Sequence, residues 1–127
     1  MKIRIKGNSL RYRLTRTEVD RFISTGYVSE KVNFGSSVFC YSLKRTTSSQ
    51  LSASFKENEI TLFFPASFID KWADPEQTGF EHNMEIEGSE TPLYLLIEKD
   101  FTCLDKTSED QSDNYPNPIL KNTYEQY

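Results

Sequence analysis

The chain has 127 residues, of which 36% are hydrophobic and 13% aromatic, and its net charge at neutral pH is −4. This length and apolar content are typical of one compact domain. An acidic chain lacks the broad basic footprint of general nucleic-acid or membrane binders, because both of those surfaces are anionic.

The first segment, residues 2–14, alternates charged and aliphatic residues with a period of two, which predicts two strands of a sheet with one wet face. The pair Gly7-Asn8 predicts a tight turn between them, since glycine tolerates a positive φ at the first turn position. One face of this hairpin is apolar. The other face carries only cations at its charged positions: Lys2, Arg4, Lys6, Arg11 and Arg13.

A short helix is predicted after this hairpin. Thr15 or Thr17 is a candidate N-cap, Glu18 occupies the capping-box position after Thr15, and Gly26 is the expected stop. Two further strands follow, up to about residue 45, and residues 46–52 form a polar connector.

The sequence contains an internal repeat. Residues 5–22 align without a gap on residues 55–72, and a three-residue insertion then aligns residues 25–27 with 78–80. Each copy predicts a ββαββ unit, at about 1–45 and 51–98. We therefore expect a single α+β domain over residues 1–104 with pseudo-twofold symmetry, built as antiparallel sheets or as a closed eight-stranded barrel with two short helices.

Residues 105–127 predict an acidic tail that is extended or partly disordered, because they hold few aliphatic residues and several carboxylates. The charges of the two chain ends are complementary. Residues 1–25 have a net charge of +5, whereas residues 98–127 hold seven acids and three lysines.

Few residues suggest chemistry. His82 is the only histidine, and its position on the apolar side of a strand favours a structural role over catalysis. Glu85 and Glu87 form a carboxylate pair of the kind that holds divalent metals in some triphosphate-processing barrels, but Ser89 stands where the following cation belongs. The sequence thus predicts no catalytic residue, no metal site and no cofactor.

The sequence also predicts the cellular location of the protein and the redox state of its two cysteines. The absence of a signal-peptide core and of any long apolar run leads us to expect a cytoplasmic protein without membrane contact. Cys40 and Cys103 lack metal-type spacing, so we expect two reduced thiols.

The cationic hairpin leaves several interpretations open. Its cations can form a solvated face paired with acids, a docking face for an acidic protein or for the chain's own C-terminal tail, or a single-stranded nucleic-acid site. Nucleic acid is the least favoured partner, since no aromatic platform is seen among the cations. A non-catalytic interaction module is the preferred function, and a phosphate- or triphosphate-handling barrel enzyme is the alternative.

The segments MKIRIKGNSLRYRLT, IEKDFTCL and DNYPNP resemble a family of small uncharacterised bacterial proteins that begin with an RIKGNS segment and end with an EKDFxCL and PNP tail. The resemblance spans nearly the whole chain and implies a cytosolic bacterial protein without an established activity. The positions of unknown role that match its motifs, besides the cations above, are Asn8, Glu98, Asp100, Phe101 and Cys103.

Overall fold

The computed structural model describes residues 1–101 and 112–116. These residues form eight strands and two helices, which the sequence analysis had predicted in the same order. The strands are β1 (Lys2–Ile5), β2 (Ser9–Leu14), β3 (Tyr27–Asn33), β4 (Val38–Thr46), β5 (Ser52–Lys56), β6 (Glu59–Pro65), β7 (Gly79–Met84) and β8 (Leu93–Lys99). The helices are α1 (Arg16–Thr25) and α2 (Ile69–Ala73), the second preceded by a 3₁₀ turn over Ala66–Phe68.

The strands form two four-stranded sheets. Sheet A has the order β1-β2-β8-β7 and sheet B has the order β3-β4-β6-β5. Each sheet therefore combines the first hairpin of one ββαββ unit with the second hairpin of the other, which gives the two similar units the predicted pseudo-twofold relation.

The hairpins are antiparallel, as predicted, but the two central pairs are parallel. Strand β2 runs parallel to β8, with Leu10 opposite Leu95, and β4 runs parallel to β6, with Tyr41 opposite Ile60. Parallel neighbours need a crossover connection. Neither parallel pair is consecutive in the chain, since β3 to β7 and both helices lie between β2 and β8, and the inter-unit connector and β5 lie between β4 and β6.

The register shows how the second halves of the units correspond. When β2 is aligned on β6 at an offset of 50, their parallel neighbours Ile97 of β8 and Leu43 of β4 become equivalent, so β4 corresponds to β8 at an offset of 54. Val28 pairs with Leu43 and Phe80 pairs with Ile97, so β3 corresponds to β7 at an offset of 52. The sequence alignment of residues 25–27 with 78–80, continued along the chain, gives an offset of 53 for both strands. The two one-residue shifts restore a common apolar face to β3 and β7, whose alternation did not match in the sequence alignment.

The closed barrel was the wrong alternative. The inner faces of the two sheets pack on each other, and their edges meet through side chains without strand pairing in the described part of the chain. The Tyr41 hydroxyl donates to the Met1 carbonyl (2.8 Å) on one side, and the Ala53 N–H donates to Met84 Sδ (3.4 Å) on the other. Because large apolar side chains fill the space between the sheets, the arrangement is a two-layer sandwich.

The core ends in an aromatic cluster at the helices. Phe22 of α1 and Trp72 of α2 are both fully buried, as their equivalent positions predicted. Phe64 lies between them, with ring centroids 5.3 Å from Phe22 and 5.0 Å from Trp72. The helices thus close one end of the sandwich, and the four hairpin turns lie at the other end.

The residues predicted to cap the first helix and to form the first turn have the expected geometry. Thr15 is the N-cap of α1, its hydroxyl accepts from the Glu18 N–H, and the Glu18 carboxylate accepts from the Thr15 N–H, which is a complete capping box. Gly26 ends the helix at φ 77°. In the first hairpin, Gly7 has φ 55°, the left-handed value that the turn requires.

Part of the predicted C-terminal tail is described. The Tyr115 N–H donates to the Asp100 carbonyl (2.8 Å), and the Asp113 carboxylate accepts from the Thr17 hydroxyl (2.8 Å). Residues 112–116 therefore contact the end of β8 and the start of α1. The remaining residues of the tail lie outside the described residues, so its extension and disorder stay predictions.

Candidate functional site

The outer face of sheet A brings together the cations of the first hairpin, one carboxylate of β8 and one carboxylate directly after β8. The register sets Lys2, Arg13 and Glu98 in one row across the strands. Arg4 and Arg11 lie in the next row. We refer to Lys2, Arg4, Lys6, Arg11 and Arg13 together as the cationic face.

Glu98 binds two arginines at once. Its Oε1 accepts from Arg11 Nε at 2.7 Å and from Arg13 Nε at 2.8 Å, and Arg11 Nη2 makes a further contact with the same oxygen. The carboxylate stands between two guanidiniums that would otherwise repel each other. Each guanidinium has five N–H donors, so both arginines keep donors for another acceptor.

Asp100 is the second carboxylate and is buried at 3% exposure. Its Oδ2 lies 3.1 Å from the Lys2 ammonium, and its N–H donates to the Leu14 carbonyl (2.8 Å). The ion pair joins the first residue of β1 to the end of β8. The predicted charge complementarity of the chain ends is therefore realised at Glu98 and Asp100, and docking of residues 105–127 on the cationic face stays a prediction.

Arg4 and Lys6 differ from the other cations. Both side chains are exposed, and within residues 1–101 and 112–116 neither has a carboxylate within 4.0 Å. Arg4 borders a shallow depression of about 260 Å³ that Lys2, Ile3, Arg11 and Arg13 also line. This depression is rich in guanidinium groups and suits a carboxylate or another anion.

Asn8 fixes the turn next to these cations. Its side-chain amide donates to the Pro92 carbonyl (2.9 Å), and its own carbonyl accepts from the Tyr94 N–H (3.1 Å). The turn between β1 and β2 is thereby tied to the loop before β8. This gives the motif asparagine a structural role.

The motif positions that follow Glu98 lie at the other end of β8. Phe101 forms an isolated bridge with Tyr115. The Lys99 ammonium donates to the Asp74 carbonyl (3.1 Å) and lies 5.2 Å from the centre of the Tyr115 ring, and burial lowers the pKa of Lys99. Cys103 lies outside the described residues.

The sequence analysis did not identify one aromatic residue that lies on the outer face of sheet A. Tyr94 is adjacent to Ser9 in the register and lies on the same side as the cations. Its hydroxyl donates to Glu81, and this hydrogen bond raises the pKa of Tyr94. The strand order alone places it there, so no local sequence signal could have revealed it.

Other predicted positions do not join this face. His82 is half-buried on the inner side of β7, and Glu85 and Glu87 are exposed beyond its end. Within the described ranges, no three His, Cys, Asp or Glu side chains are grouped so that they could hold a metal ion. No helix in those ranges is both long enough and apolar enough to span a bilayer.

The equivalent face of sheet B shows that the fold does not require these cations. Ser52, Ser54, Thr61 and Phe63 hold the positions of Lys2, Arg4, Arg11 and Arg13, because the paired residues correspond at an offset of 50. Lys44 corresponds to Glu98. The cations and their carboxylate are thus particular to one of two similar surfaces.

The chain belongs to a family of unknown function (DUF7009), whose model matches residues 1–119. No curated protein and no solved structure shows a significant match to the chain.

Proposed function

We propose that the protein is a non-catalytic binding module whose cationic face binds an acidic partner protein. The observation that carries this proposal is the shared use of Glu98 Oε1 by Arg11 and Arg13. The carboxylate holds both guanidiniums in place without using all their donors. Side chains that are already ordered lose less conformational entropy when a ligand binds.

The charge balance supports the same proposal. Among residues 1–101 and 112–116, two carboxylates pair with cations of this face, and the exposed Arg4 and Lys6 have no carboxylate within 4.0 Å. An acidic protein surface supplies planar carboxylates that match guanidinium groups. Complementary charges of this kind raise association rates and select partners.

A matched pair of variants tests the proposal. The full chain is titrated into a fluorescein-labelled oligoglutamate peptide at about 50 and 200 mM salt, and binding is followed by fluorescence anisotropy. Lys6→Ser and Lys56→Ser remove the same charge at equivalent hairpin positions of the two units. We expect Lys6→Ser to weaken binding about 2- to 5-fold, as for an exposed ion pair, and Lys56→Ser to leave it unchanged.

Competition separates the alternatives. Inorganic triphosphate and a single-stranded oligonucleotide are added as competitors of the labelled peptide. Displacement only at concentrations well above that of unlabelled peptide supports an acidic protein as the partner. Tighter binding of either competitor, an equal effect of the two lysine variants, or no salt-sensitive binding would contradict the proposal.

A further inference from the structure

The free edge of β1 lies beside the cationic face. Lys6 and Ser9 exchange both backbone hydrogen bonds (3.3 and 3.2 Å), and such pairs recur at every second residue of an antiparallel hairpin. Arg4 and Lys2 therefore direct their backbone groups toward β2. Ile3 and Ile5 direct theirs away from the sheet, where no described residue accepts or donates.

The corresponding edge in the other unit is partly occupied. Ala53 stands in β5 where Ile3 stands in β1, and its outward N–H donates to Met84 Sδ. The β1 edge has no such partner among the described residues. It is also the edge that carries cations, at positions where β5 has Ser52 and Ser54.

Large apolar side chains are exposed at this edge and at the β3 end of sheet B. Sheet B faces β1 there, because Glu30 of β3 contacts the Met1 ammonium at 3.2 Å. Toward the hairpin turns the two edges expose large apolar side chains: Ile5 is 62% exposed, Val32 41% and Phe34 66%. Exposed apolar groups of this size beside an unpaired edge favour an interaction site.

We infer that the acidic partner binds as an extended strand added to the free edge of β1, with carboxylates and apolar residues in alternation. The inference rests on the proposed function and specifies its ligand. In an added strand, successive side chains alternate between the two faces of the sheet. One set lies beside Arg4 and Lys6, where carboxylates fit, and the other lies beside Ile5, Val32 and Phe34, where apolar side chains fit.

A second copy of this chain is the less suitable occupant. Pairing two β1 strands would set the cations of one copy beside those of the other, and like charges on neighbouring strands are destabilising. Basic residues on an edge strand commonly prevent such self-pairing. The same residues attract a strand of opposite charge.

Amide hydrogen exchange on the full chain tests the binding mode. The probe is a blocked peptide of about seven residues in which glutamate and valine alternate, and the control has the same composition with its glutamates and valines in separate blocks. We expect the alternating peptide to slow exchange of the Ile3 and Ile5 amides about tenfold or more at saturation. The Arg4 amide, which already bonds to β2, should change little.

Two variants isolate the backbone contact. Ile5→Pro removes an N–H that points away from β2, a position where an edge strand tolerates proline, while Ile5→Ala shortens the side chain and keeps the N–H. Ile5→Pro should weaken the alternating peptide clearly more than Ile5→Ala does, and should affect the block peptide no more than Ile5→Ala does. Circular dichroism and the fluorescence of Trp72 verify that both variants fold.

The outcomes separate the inference from the proposed function. Salt-sensitive binding of both peptides without protection of Ile3 and Ile5 would overturn strand addition and leave the acidic partner in place. Absence of binding by either peptide would overturn both. If the Ile3 and Ile5 amides are protected from exchange without peptide, and this protection grows with protein concentration, the occupant is a second copy of the chain. That result would also overturn the inference.

Discussion

Replacing Glu98 by glutamine is expected to lower stability and raise affinity for acidic ligands. The side chain keeps its shape and one carbonyl acceptor but loses the charge that separates Arg11 and Arg13. These groups are 21–40% exposed, so each ion pair is discounted to the range of exposed pairs, at most about 1 kcal/mol. The two pairs together give an expected loss of up to about 2 kcal/mol in the free energy of unfolding.

The assay uses the single tryptophan. Trp72 is fully buried beside Phe64, so its fluorescence reports unfolding in urea directly. The control, Glu85→Gln, removes the same charge from an exposed side chain and should change stability by less than about 0.5 kcal/mol. The difference between the variants should shrink in about 1 M salt, where the Debye length falls to about 3 Å.

The binding measurement is the second arm of this experiment. Glutamine keeps a carbonyl acceptor that can hold the two guanidiniums in place, while the loss of the negative charge makes the face more positive. The oligoglutamate peptide should therefore bind more tightly to Glu98→Gln than to the natural chain. Equal stability of Glu98→Gln and Glu85→Gln, or a loss that salt does not reduce, would refute the role assigned to this carboxylate.

Three other variants test the framework of the fold. Gly79→Ala would place a Cβ 2.4 Å from the Ile97 carbonyl oxygen, so we expect a loss of about 1–3 kcal/mol in urea unfolding, and an unchanged midpoint would contradict the close packing of β7 on β8. Burial alone would raise the pKa of Glu18, but hydrogen bonds from the N-terminal ammonium and from the helix start lower it. Because the folded pKa lies below the unfolded value near 4.3, Glu18→Gln should be less stable than the natural chain at pH 7, and this deficit should shrink as the pH falls from the unfolded value through the lower folded pKa, whereas a deficit that does not change with pH would contradict this assignment. Asn8→Ala removes the hydrogen bond to Pro92 and should cost about 0.5–1.5 kcal/mol in the same assay, whereas no change would show that the turn is held by other contacts.

The elements of the fold could be predicted because their signals are local. Alternation marks β1 and β2, Gly7 marks their turn, and Thr15 with Glu18 marks the helix start. The pairing of β2 with β8 had no such signal. These strands are far apart in sequence, and their parallel contact depends on how the helices and the connector return the chain.

For the candidate site, too, the local features could be predicted and the pairing between distant strands could not. Alternation placed the cations on one face, and charge composition indicated acids near the C-terminal end. Which acids pair with them depends on the register of Arg13 with Glu98, which no local pattern specifies. Tyr94 was missed for the same reason, since only the strand order places it beside Ser9.

The outer faces of the two sheets differ in charge although their frameworks are equivalent. Both sheets use the same hairpin framework, and the apolar positions that pack the core are filled in both. On sheet B, Lys44 stands beside Phe63, where sheet A has Glu98 beside Arg13. A fold that is built with either set does not need the arginines or the glutamate for its architecture. We propose that their mutual pairing on one sheet, next to an edge of β1 that no described residue pairs with, is the feature that a partner recognises.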